Sequence, residues 1–335
     1  MHPLAATLRL ALAAILTSSC SQMNGHGPIS AGTMMKLQSR SMTKADFIGQ
    51  LKVMDPNIRS SLPIGKVSLP FDFKAKTPVI KAAGPDDQAL SMLFDTGAAR
   101  TVLGASTAVK SKVHTIHAQE AMSTMLGVVG NEHGLVGVIR PLRLGSWTLP
   151  AYPCFVRLHE SFGEGIAYPS DILGFDIPAR YCSQLTFDYP NERIILSFQE
   201  NFKLRDGMHS ASVPFTIEKG VPFVKIQAKG VTWTSLVDTG SFNGVEINEA
   251  VAKQLGVQDQ GIIVEGLTLV AVGGMISSDK AKLRTVKLPE IKLLGGTYKQ
   301  AEVDISPGPP RIGSFFLKDY RVTFDFRTHR LWLEW

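Results

Sequence analysis

One short motif occurs twice in this chain, and its repetition constrains the fold more than any other feature. Leu93–Ala98 reads Leu-Phe-Asp-Thr-Gly-Ala, and Leu236–Ser241 reads Leu-Val-Asp-Thr-Gly-Ser. Each apolar pair predicts the end of a buried strand, and the glycine permits a tight turn that exposes the aspartate at the strand's tip. Two such turns indicate two copies of one structural unit.

Matching segments surround the two motifs in the same order. Before the motifs, Ser68–Phe73 matches Ser212–Ile217, and after them Asp171–Phe175 matches Arg311–Phe315. Each half then ends in a predicted strand pair, Leu185–Tyr189 with Glu192–Leu196 and Val322–Phe326 with His329–Leu333. Four matched elements in one order indicate an internal duplication, so the chain is predicted to form two similar lobes.

Composition narrows the class of protein. The 335 residues are 44% hydrophobic and 19% charged, as in globular proteins that bury their own cores. The net charge of +6 comes from scattered lysines and arginines without a basic block, which argues against a nucleic-acid partner. The histidines lack ligand spacing and no nucleotide-binding or zinc-protease motif occurs, so neither a cofactor nor a metal is predicted.

The N-terminus has a composition of its own. Arg9 precedes the apolar run Leu10–Leu16 and the small residues Thr17–Ser19. This order predicts a signal peptide over residues 1–19 and therefore export of the protein. The apolar run is too short to span a bilayer as a stable helix.

Cys20 follows the predicted signal peptide directly. Leu16–Cys20 resembles the lipobox of bacterial lipoproteins, in which the cysteine becomes the lipidated first residue. Ser21 then implies transfer to the outer membrane, so a lipoprotein of the cell envelope that faces the periplasm is expected. An ordinary cleaved signal with an incidental cysteine is the alternative.

The remaining chain divides into four predicted segments. They are a tether with a short helix at Thr43–Val53 over residues 20–61, an N-terminal lobe over 62–200, a linker over 201–211 and a C-terminal lobe over 212–335. Cys154 and Cys182 both fall in the first lobe. They could form a disulfide in an oxidising compartment, or they could be two separate buried thiols.

Each half also contains a glycine-bearing hairpin after its motif, at Met125–Gly134 and at Val270–Met275. Glycines at a hairpin tip suit a mobile cover over a binding site, and they equally suit a tight turn. The candidate substrate-contacting residues of these two flaps are Gly127, Val128, Val129, Gly130, Val272, Gly273 and Gly274.

The two aspartates can act as one chemical unit. Two lobes that each present one aspartate on a turn can bring Asp95 and Asp238 together across a shared two-fold axis. Like charges about 3 Å apart cannot both ionise, so the pair shares one proton. The ionised partner can then activate a water, while the protonated partner polarises a carbonyl group and later protonates the leaving nitrogen.

These features together resemble the aspartic proteases. The apolar-apolar-Asp-Thr-Gly-Ala/Ser motifs, the glycine-rich flap and Ile172-Leu173-Gly174 ahead of a Phe-Asp strand are most similar to the retropepsin-like bacterial members. The resemblance covers residues 62–335 in two copies. It implies a mostly β fold of the pepsin/retropepsin type, with two similar β-barrel lobes and the active-site cleft between them.

The same resemblance implies an aspartic endopeptidase of the cell envelope that cleaves a protein or peptide substrate. It carries both half-sites in one chain, so a single chain is expected to be active. Asp95 and Asp238 would be the catalytic dyad, and Thr96 and Thr239 would hydrogen-bond across the lobe junction. The supporting residues of the two catalytic loops would be Thr96, Gly97, Ala98, Thr239, Gly240 and Ser241.

Two departures from the family pattern stand out. Ala99-Arg100 and Phe242-Asn243 occupy the region where retroviral members carry an aspartate that binds the substrate backbone. Arg311 occupies a position that is usually apolar. A duplicated barrel that lost its chemistry and serves as a binding or scaffold lipoprotein is the alternative function, because fold does not guarantee activity.

The residue after each glycine predicts where the shared proton resides. The Ser241 hydroxyl is expected to donate to the neighbouring carboxylate of Asp238 and to favour its ionised form, whereas Ala98 cannot do so for Asp95. Asp95 is therefore predicted to hold the proton. A mildly acidic optimum, at roughly pH 4 to 6, is expected.

Overall fold

The structure is a computed structural model, and it describes residues 29–73, 76–127, 130–158, 170–264, 268–271, 274–277, 280 and 282–335. The predicted signal peptide and Cys20 lie outside the described residues. Within them the protein is mostly β, and strands outnumber helices. No helix in this described part of the chain is long and apolar enough to cross a membrane.

Strands account for most of both halves. Those of the first half are β1 (Lys66–Asp72), β2 (Val79–Ala83), β3 (Ala89–Asp95), β4 (Val102–Leu103), β5 (His114–Thr115), β6 (Met122–Leu126), β7 (Asn131–Ile139), β8 (Leu142–Leu144), β9 (Trp147–Leu149), β10 (Tyr152–Arg157), β11 (Asp171–Gly174), β12 (Gln184–Asp188) and β13 (Arg193–Ser197). Those of the second half are β14 (Ser210–Pro214), β15 (Thr216–Glu218), β16 (Val221–Ala228), β17 (Val231–Asp238), β18 (Val245–Ile247), β19 (Ile262–Ile263), β20 (Thr268–Ala271), β21 (Gly274–Ser277), β22 (Arg284–Leu293), β23 (Gly296–Ile305), β24 (Arg311–Gly313), β25 (Arg321–Asp325) and β26 (Arg330–Glu334). The helices are α1 (Ala31–Gln38), α2 (Lys44–Ser60), α3 (Ala105–Lys110), α4 (Asp176–Tyr181), α5 (Glu249–Gln254) and α6 (Ser314–Leu317).

The second half forms a closed barrel. Its strands β16, β17, β24, β18, β23 and β22 pair in that order, and β22 returns to β16 at Gln227 and Lys292. Alternating side chains of β16 point into this barrel, as its period-two burial pattern shows. Closure removes the exposed strand edges that an open sheet would leave.

The first half follows the same path with interruptions. Its strands β2, β3, β11, β4, β10 and β7 pair in that order, and the β8–β9 hairpin returns to β2 at Ala83 and Arg143. Pro141 separates β7 from β8, because a proline cannot donate a ladder hydrogen bond. The predicted fold class, two similar β-barrel lobes with a cleft between them, is confirmed.

A six-stranded antiparallel sheet joins the lobes. Its order is β14, β26, β25, β12, β13 and β1, so each lobe contributes three consecutive strands. The seam between lobes is the pair β12 and β25, in which Thr186 lies opposite Thr323 and their hydroxyl oxygens are 2.8 Å apart. The pseudo-two-fold axis of the molecule passes close to this pair.

Two N-terminal helices precede the first lobe. The predicted helix at Thr43–Val53 is longer in the structure, since α2 begins after its N-cap Thr43 and continues to Ser60. The buried side chains of Met54 and Ile58 extend its apolar face beyond Val53. Their burial offsets the cost of about 3 kcal/mol that a proline, here Pro56, imposes within a helix. Helix α1 was not predicted; the Ser30 side chain caps it and its Leu37 is buried.

Cys154 and Cys182 are separate free thiols. Of the two alternatives that the sequence allowed, the structure therefore shows two buried thiols and no disulfide between them. Cys154 lies on β10 opposite Gly137, and Cys182 follows α4, and both pack into the hydrophobic core. Burial raises the pKa of the Cys154 thiol to about 12 and also raises the pKa of Cys182. Both side chains act as small apolar core residues.

Candidate active site

The two Asp-Thr-Gly turns occupy equivalent places in the two barrels. Strand β3 ends at Asp95 and β17 ends at Asp238. Each runs parallel to a short strand whose last glycine, Gly174 or Gly313, lies beside the aspartate. A Cβ atom at Gly174 would lie 2.5 Å from the carbonyl oxygen of Arg100, so this close approach requires glycine.

Thr96 and Thr239 bind the two turns to each other. The Thr96 backbone N–H donates to Thr239 Oγ1 at 3.0 Å, and the Thr239 N–H donates to Thr96 Oγ1 at 3.0 Å. The Thr96 hydroxyl donates to the carbonyl oxygen of Val237 at 2.5 Å, and the Thr239 hydroxyl donates to that of Phe94 at 2.7 Å. Both threonines are fully buried, so these four bonds hold the turns at one separation.

The aspartate carboxyl groups meet across this junction and hydrogen-bond to each other. The Gly97 N–H donates to Asp95 Oδ1 at 2.7 Å, and the Gly240 N–H donates to Asp238 Oδ1 at 3.0 Å. A Cβ atom at Gly97 would lie 2.6 Å from Asp238 Oδ1, and one at Gly240 would lie 2.5 Å from the Asp95 carboxyl carbon. Each glycine therefore makes room for the opposite aspartate.

The two carboxyl groups differ in their affinity for a proton. Burial, followed by the charge of Asp238, raises the pKa of Asp95 well above its ordinary value. Burial also raises the pKa of Asp238, but the cationic Arg311 opposes that rise. A single proton on the pair is therefore held by Asp95, while Asp238 is the ionised member.

A buried ion pair lies beneath Asp238. Arg311 Nε and Nη2 donate to the Glu246 carboxylate at 2.5 and 2.7 Å, and Ser306 Oγ donates to it at 2.7 Å. The side chains of Arg311 and Glu246 are 4% and 0% exposed, so a buried charge pair lies beside the cleft. Hydrogen bonds from Arg311 lower the pKa of Glu246 against the effect of its burial.

The expected role of the Ser241 hydroxyl is wrong. It donates to Glu246 Oε2 at 2.8 Å, and it is the Ser241 backbone N–H that donates to Asp238 Oδ1, at 3.1 Å. The Ser241 hydroxyl is thus committed to the buried, charged Glu246 carboxylate. The asymmetry of the dyad thus arises from Arg311, a residue that the sequence marked only as a departure from an apolar position.

The support beneath Asp95 is apolar instead. Ile172 and Val102 lie opposite each other on β11 and β4, and they pack with Leu93 and Phe155 in a buried cluster. Ala98 and the flap residue Met125 border the cluster. In the second lobe the same pair of strand positions, on β24 and β18, carries Arg311 and Glu246.

The dyad lies in a cleft of about 540 Å³ that residues of both lobes line. Thr124–Gly127, at the end of β6, lines one side, and the Gly127 N–H donates to the Gly130 carbonyl oxygen at 2.8 Å. Of the remaining predicted flap residues, Val128, Val129, Val272 and Gly273 lie outside the described residues. Gly274 begins β21, which pairs with β20 in a separate hairpin.

Sequence reasoning missed Glu246 and Lys219 as residues of the site. Glu246 lies within a short apolar stretch, and an acidic residue there, in the same half as the out-of-place Arg311, was the available signal. Lys219 lines the cleft from the turn after β15, where nothing in the sequence distinguished it. No cluster of three potential metal ligands occurs among the described residues.

Comparison with known proteins finds similarity between part of the chain and one family model. A model of the family described as Aspartyl protease matches residues 82–174, which include Asp95 but not Asp238. No curated protein matches the chain in sequence. The chain is similar to the crystal structure of Basic 7S globulin from soybean, with 16% identity and a TM-score of 0.48 over 81% of this chain and 95% of that one. It is similar to the aspartic proteinase from Irpex lacteus with the same identity and TM-score, over 80% of this chain and 96% of that one.

Proposed function

We propose that the protein is an aspartic-type endopeptidase that hydrolyses peptide bonds with water activated between Asp95 and Asp238. The observation that supports this most strongly is the pair of hydrogen-bonded carboxyl groups at the floor of a cleft between two lobes. The family match over residues 82–174 agrees with it. The activity belongs to one chain, because each lobe supplies one aspartate.

The chemistry follows from the unequal proton affinities of the dyad. Ionised Asp238 takes a proton from the bound water as its oxygen attacks the substrate carbonyl carbon, and Asp95 gives its proton to the carbonyl oxygen. The resulting tetrahedral diol then collapses. Asp238 passes its new proton to the leaving nitrogen, the carbon–nitrogen bond breaks, and Asp95 recovers a proton from a diol hydroxyl. Both carboxyl groups return to their starting states.

The surroundings of the dyad supply preorganisation. Backbone N–H groups of Gly97 and Gly240 hold one oxygen of each carboxyl group, and the two threonines hold the turns that carry them. The carboxyl groups therefore need little reorganisation when charge develops on the substrate.

Peptide hydrolysis by the purified chain tests the proposal. We expect cleavage of apolar-centred peptides that pepstatin inhibits and that Asp95→Asn abolishes. Asp319→Asn is the matched control, since that aspartate is exposed and its ion pair within the described residues is the 3.8 Å contact with Lys318. Specific activity should stay constant on dilution. Lack of cleavage of any peptide in a broad library would favour the alternative of a silent binding or scaffold protein.

We further propose that the protein is exported and anchored to the outer membrane through lipid on Cys20, facing the periplasm. This location is supported by the N-terminal sequence, with its short apolar run and the lipobox-like Leu16–Cys20. Replacement Cys20→Ala should release the protein into the soluble periplasmic fraction. Membrane association of that variant at the native level would exclude the anchor.

A further inference from the structure

Four cationic side chains line the cleft, and two of them are already neutralised. Arg157 donates to both carboxylate oxygens of Glu132 at 2.9 and 3.1 Å, and Arg311 is paired with Glu246 as described above. Both of these pairs are buried. Their charges are therefore committed within the protein and are not available to a ligand.

The other two cations, Arg100 and Lys219, are exposed and have no ion pair within the described part of the chain. The charge of Arg100 lowers the pKa of the buried Asp176 carboxyl group, against the larger effect of burial. Asp176 accepts its hydrogen bonds from Thr101 and Tyr152, however. Glu218, next to Lys219, accepts from the Thr216 hydroxyl at 3.1 Å and does not line the cleft.

These two cations come from different lobes and lie at the same end of the cleft. Lys219 belongs to the turn between β15 and β16, and this turn crosses to the first lobe. A Cβ atom at Gly220 would lie 3.1 Å from Ala99 Cβ, so the turn packs against the residue just before Arg100. Gly220 has a φ of +88°, which a glycine adopts without strain and which allows this approach.

The opposite end of the cleft is different. Phe242 and Asn243 stand there in the places that Ala99 and Arg100 occupy in the first half. Lys76, which corresponds to Gly220 of the second half, lies 5.7 Å from the ring of Phe315 and does not line the cleft. Among the residues that the structure describes, the cations available to a ligand therefore lie at one end of the cleft, although the two halves share a fold.

We propose that Arg100 and Lys219 form a cationic subsite that selects an acidic side chain of the peptide, on one side of an apolar residue at the scissile bond. The apolar requirement comes from Leu93, Val102 and Ile172, which line the cleft beside Asp95. An arginine and a lysine that converge from two elements can hold a carboxylate through charge-assisted hydrogen bonds. This inference rests on the proposed peptidase function and names its substrate class.

The test uses matched peptides with one apolar core and Glu, Gln or Lys placed in turn at each of three positions on either side of the cleaved bond. Values of kcat/KM should follow Glu over Gln over Lys on one side only. Exposed ion pairs are individually weak, so the two cations together should separate Glu from Lys by about tenfold. Added salt should reduce that ratio.

Charge reversal identifies the residues responsible. Arg100→Glu combined with Lys219→Glu should invert the preference, so that Lys peptides become the better substrates. Lys225→Glu is the matched control, because Lys225 is an exposed lysine on β16 that does not line the cleft. It should leave the preference unchanged. Equal rates for Glu, Gln and Lys at every position, or a Glu preference that survives the double reversal, would overturn the subsite.

Binding separates this inference from the proposed function. Fluorescence anisotropy with the same labelled peptides and the Asp95→Asn chain reports charge selection without hydrolysis. If the native chain cleaves nothing but the Asp95→Asn chain binds the Glu peptide tighter than the Lys peptide, the subsite stands and the peptidase proposal fails. If neither cleavage nor charge-selective binding occurs, both proposals fail.

Discussion

The two Asp-Thr-Gly turns share a backbone conformation, but the side chains that support them are of opposite kinds. Beneath Asp95 the cross-strand pair Ile172 and Val102 is apolar, and beneath Asp238 the equivalent pair is Arg311 and Glu246. Duplication explains the common backbone. The different pairs show that symmetry of fold does not require symmetry of charge.

This difference matters because the dyad holds only one proton. Two identical supports would leave that proton divided between two equivalent carboxyl groups. The Arg311 cation favours the ionised form of Asp238, and the apolar support leaves burial to raise the pKa of Asp95. The two carboxyl groups therefore differ in their favoured protonation state, with the proton on Asp95 and the negative charge on Asp238.

The largest effect should come from the aspartates themselves. Asp95→Asn and Asp238→Asn should each reduce kcat by at least about 10³-fold, because members of a catalytic unit lose activity together. Equal losses in the two variants, measured as single-turnover peptide cleavage by folded protein, would show that both carboxyl groups are essential despite their different supports. Near-native turnover in either one would break the shared-dyad interpretation.

Breaking the ionic support alone should destabilise the C-terminal lobe. Arg311→Met leaves Glu246 as an unpaired buried charge, which costs about 3–5 kcal/mol of unfolding free energy. Replacing both partners, by Glu246→Val with Arg311→Ile, copies the first lobe and should be neutral or stabilising by up to about 4 kcal/mol. Urea unfolding of both proteins measures the contrast. A double variant as unstable as Arg311→Met would show that the pair has a structural role beyond its charge.

The pH dependence of activity in the same double variant, Glu246→Val with Arg311→Ile, tests whether the ion pair sets the pKa of Asp238. Arg311 lowers the pKa of Asp238 more than Glu246 raises it, so removing the pair raises that pKa. The proposed mechanism requires ionised Asp238, and the acid limb of the kcat/KM profile should therefore move to higher pH. Ile172→Val, in the apolar support, is the control that should leave this limb in place. An acid limb that stays in place or moves to lower pH would show that the ion pair does not determine which aspartate holds the proton.

The smallest effects concern the residue after each catalytic glycine. Ser241→Ala removes one hydrogen bond to Glu246 and should cost about 1–2 kcal/mol of stability without moving the alkaline limb of the rate profile. Ala98→Ser places a hydroxyl beside an apolar cluster and should cost about 1–3 kcal/mol. Thermal unfolding and a pH–rate series check both. A shifted alkaline limb in the Ala98→Ser variant would show that a hydroxyl after the glycine does influence which aspartate holds the proton.

Repetition and turn chemistry made the fold predictable. The motifs at Leu93–Ala98 and Leu236–Ser241 carry an apolar approach, an aspartate and a glycine, and those local signals specify a strand and its turn. The structure confirms the two lobes that their repetition predicted. Helix α1 was not predicted because it contains Gly32 and has a single buried side chain, Leu37, so its sequence shows little apolar periodicity.

The electrostatics of the site were not predictable in the same way. Arg311 and Glu246 are 65 residues apart in the chain, and they meet only because β24 and β18 pair in a particular register. The error over Ser241 has the same origin, since its hydroxyl has two carboxylates within reach. Which of them it binds depends on the register of strands that local sequence does not encode.

The seam between β12 and β25 has a consequence for the origin of the molecule. Thr186 faces Thr323, and the residues on either side of them pair symmetrically, as in an isologous contact between two copies of one protein. Either half alone would present this strand as a bare edge with unpaired backbone groups, which is a template for self-association. A single ancestral half could thus have formed a homodimer through this edge, and fusion of two copies then freed each half to acquire its own charges.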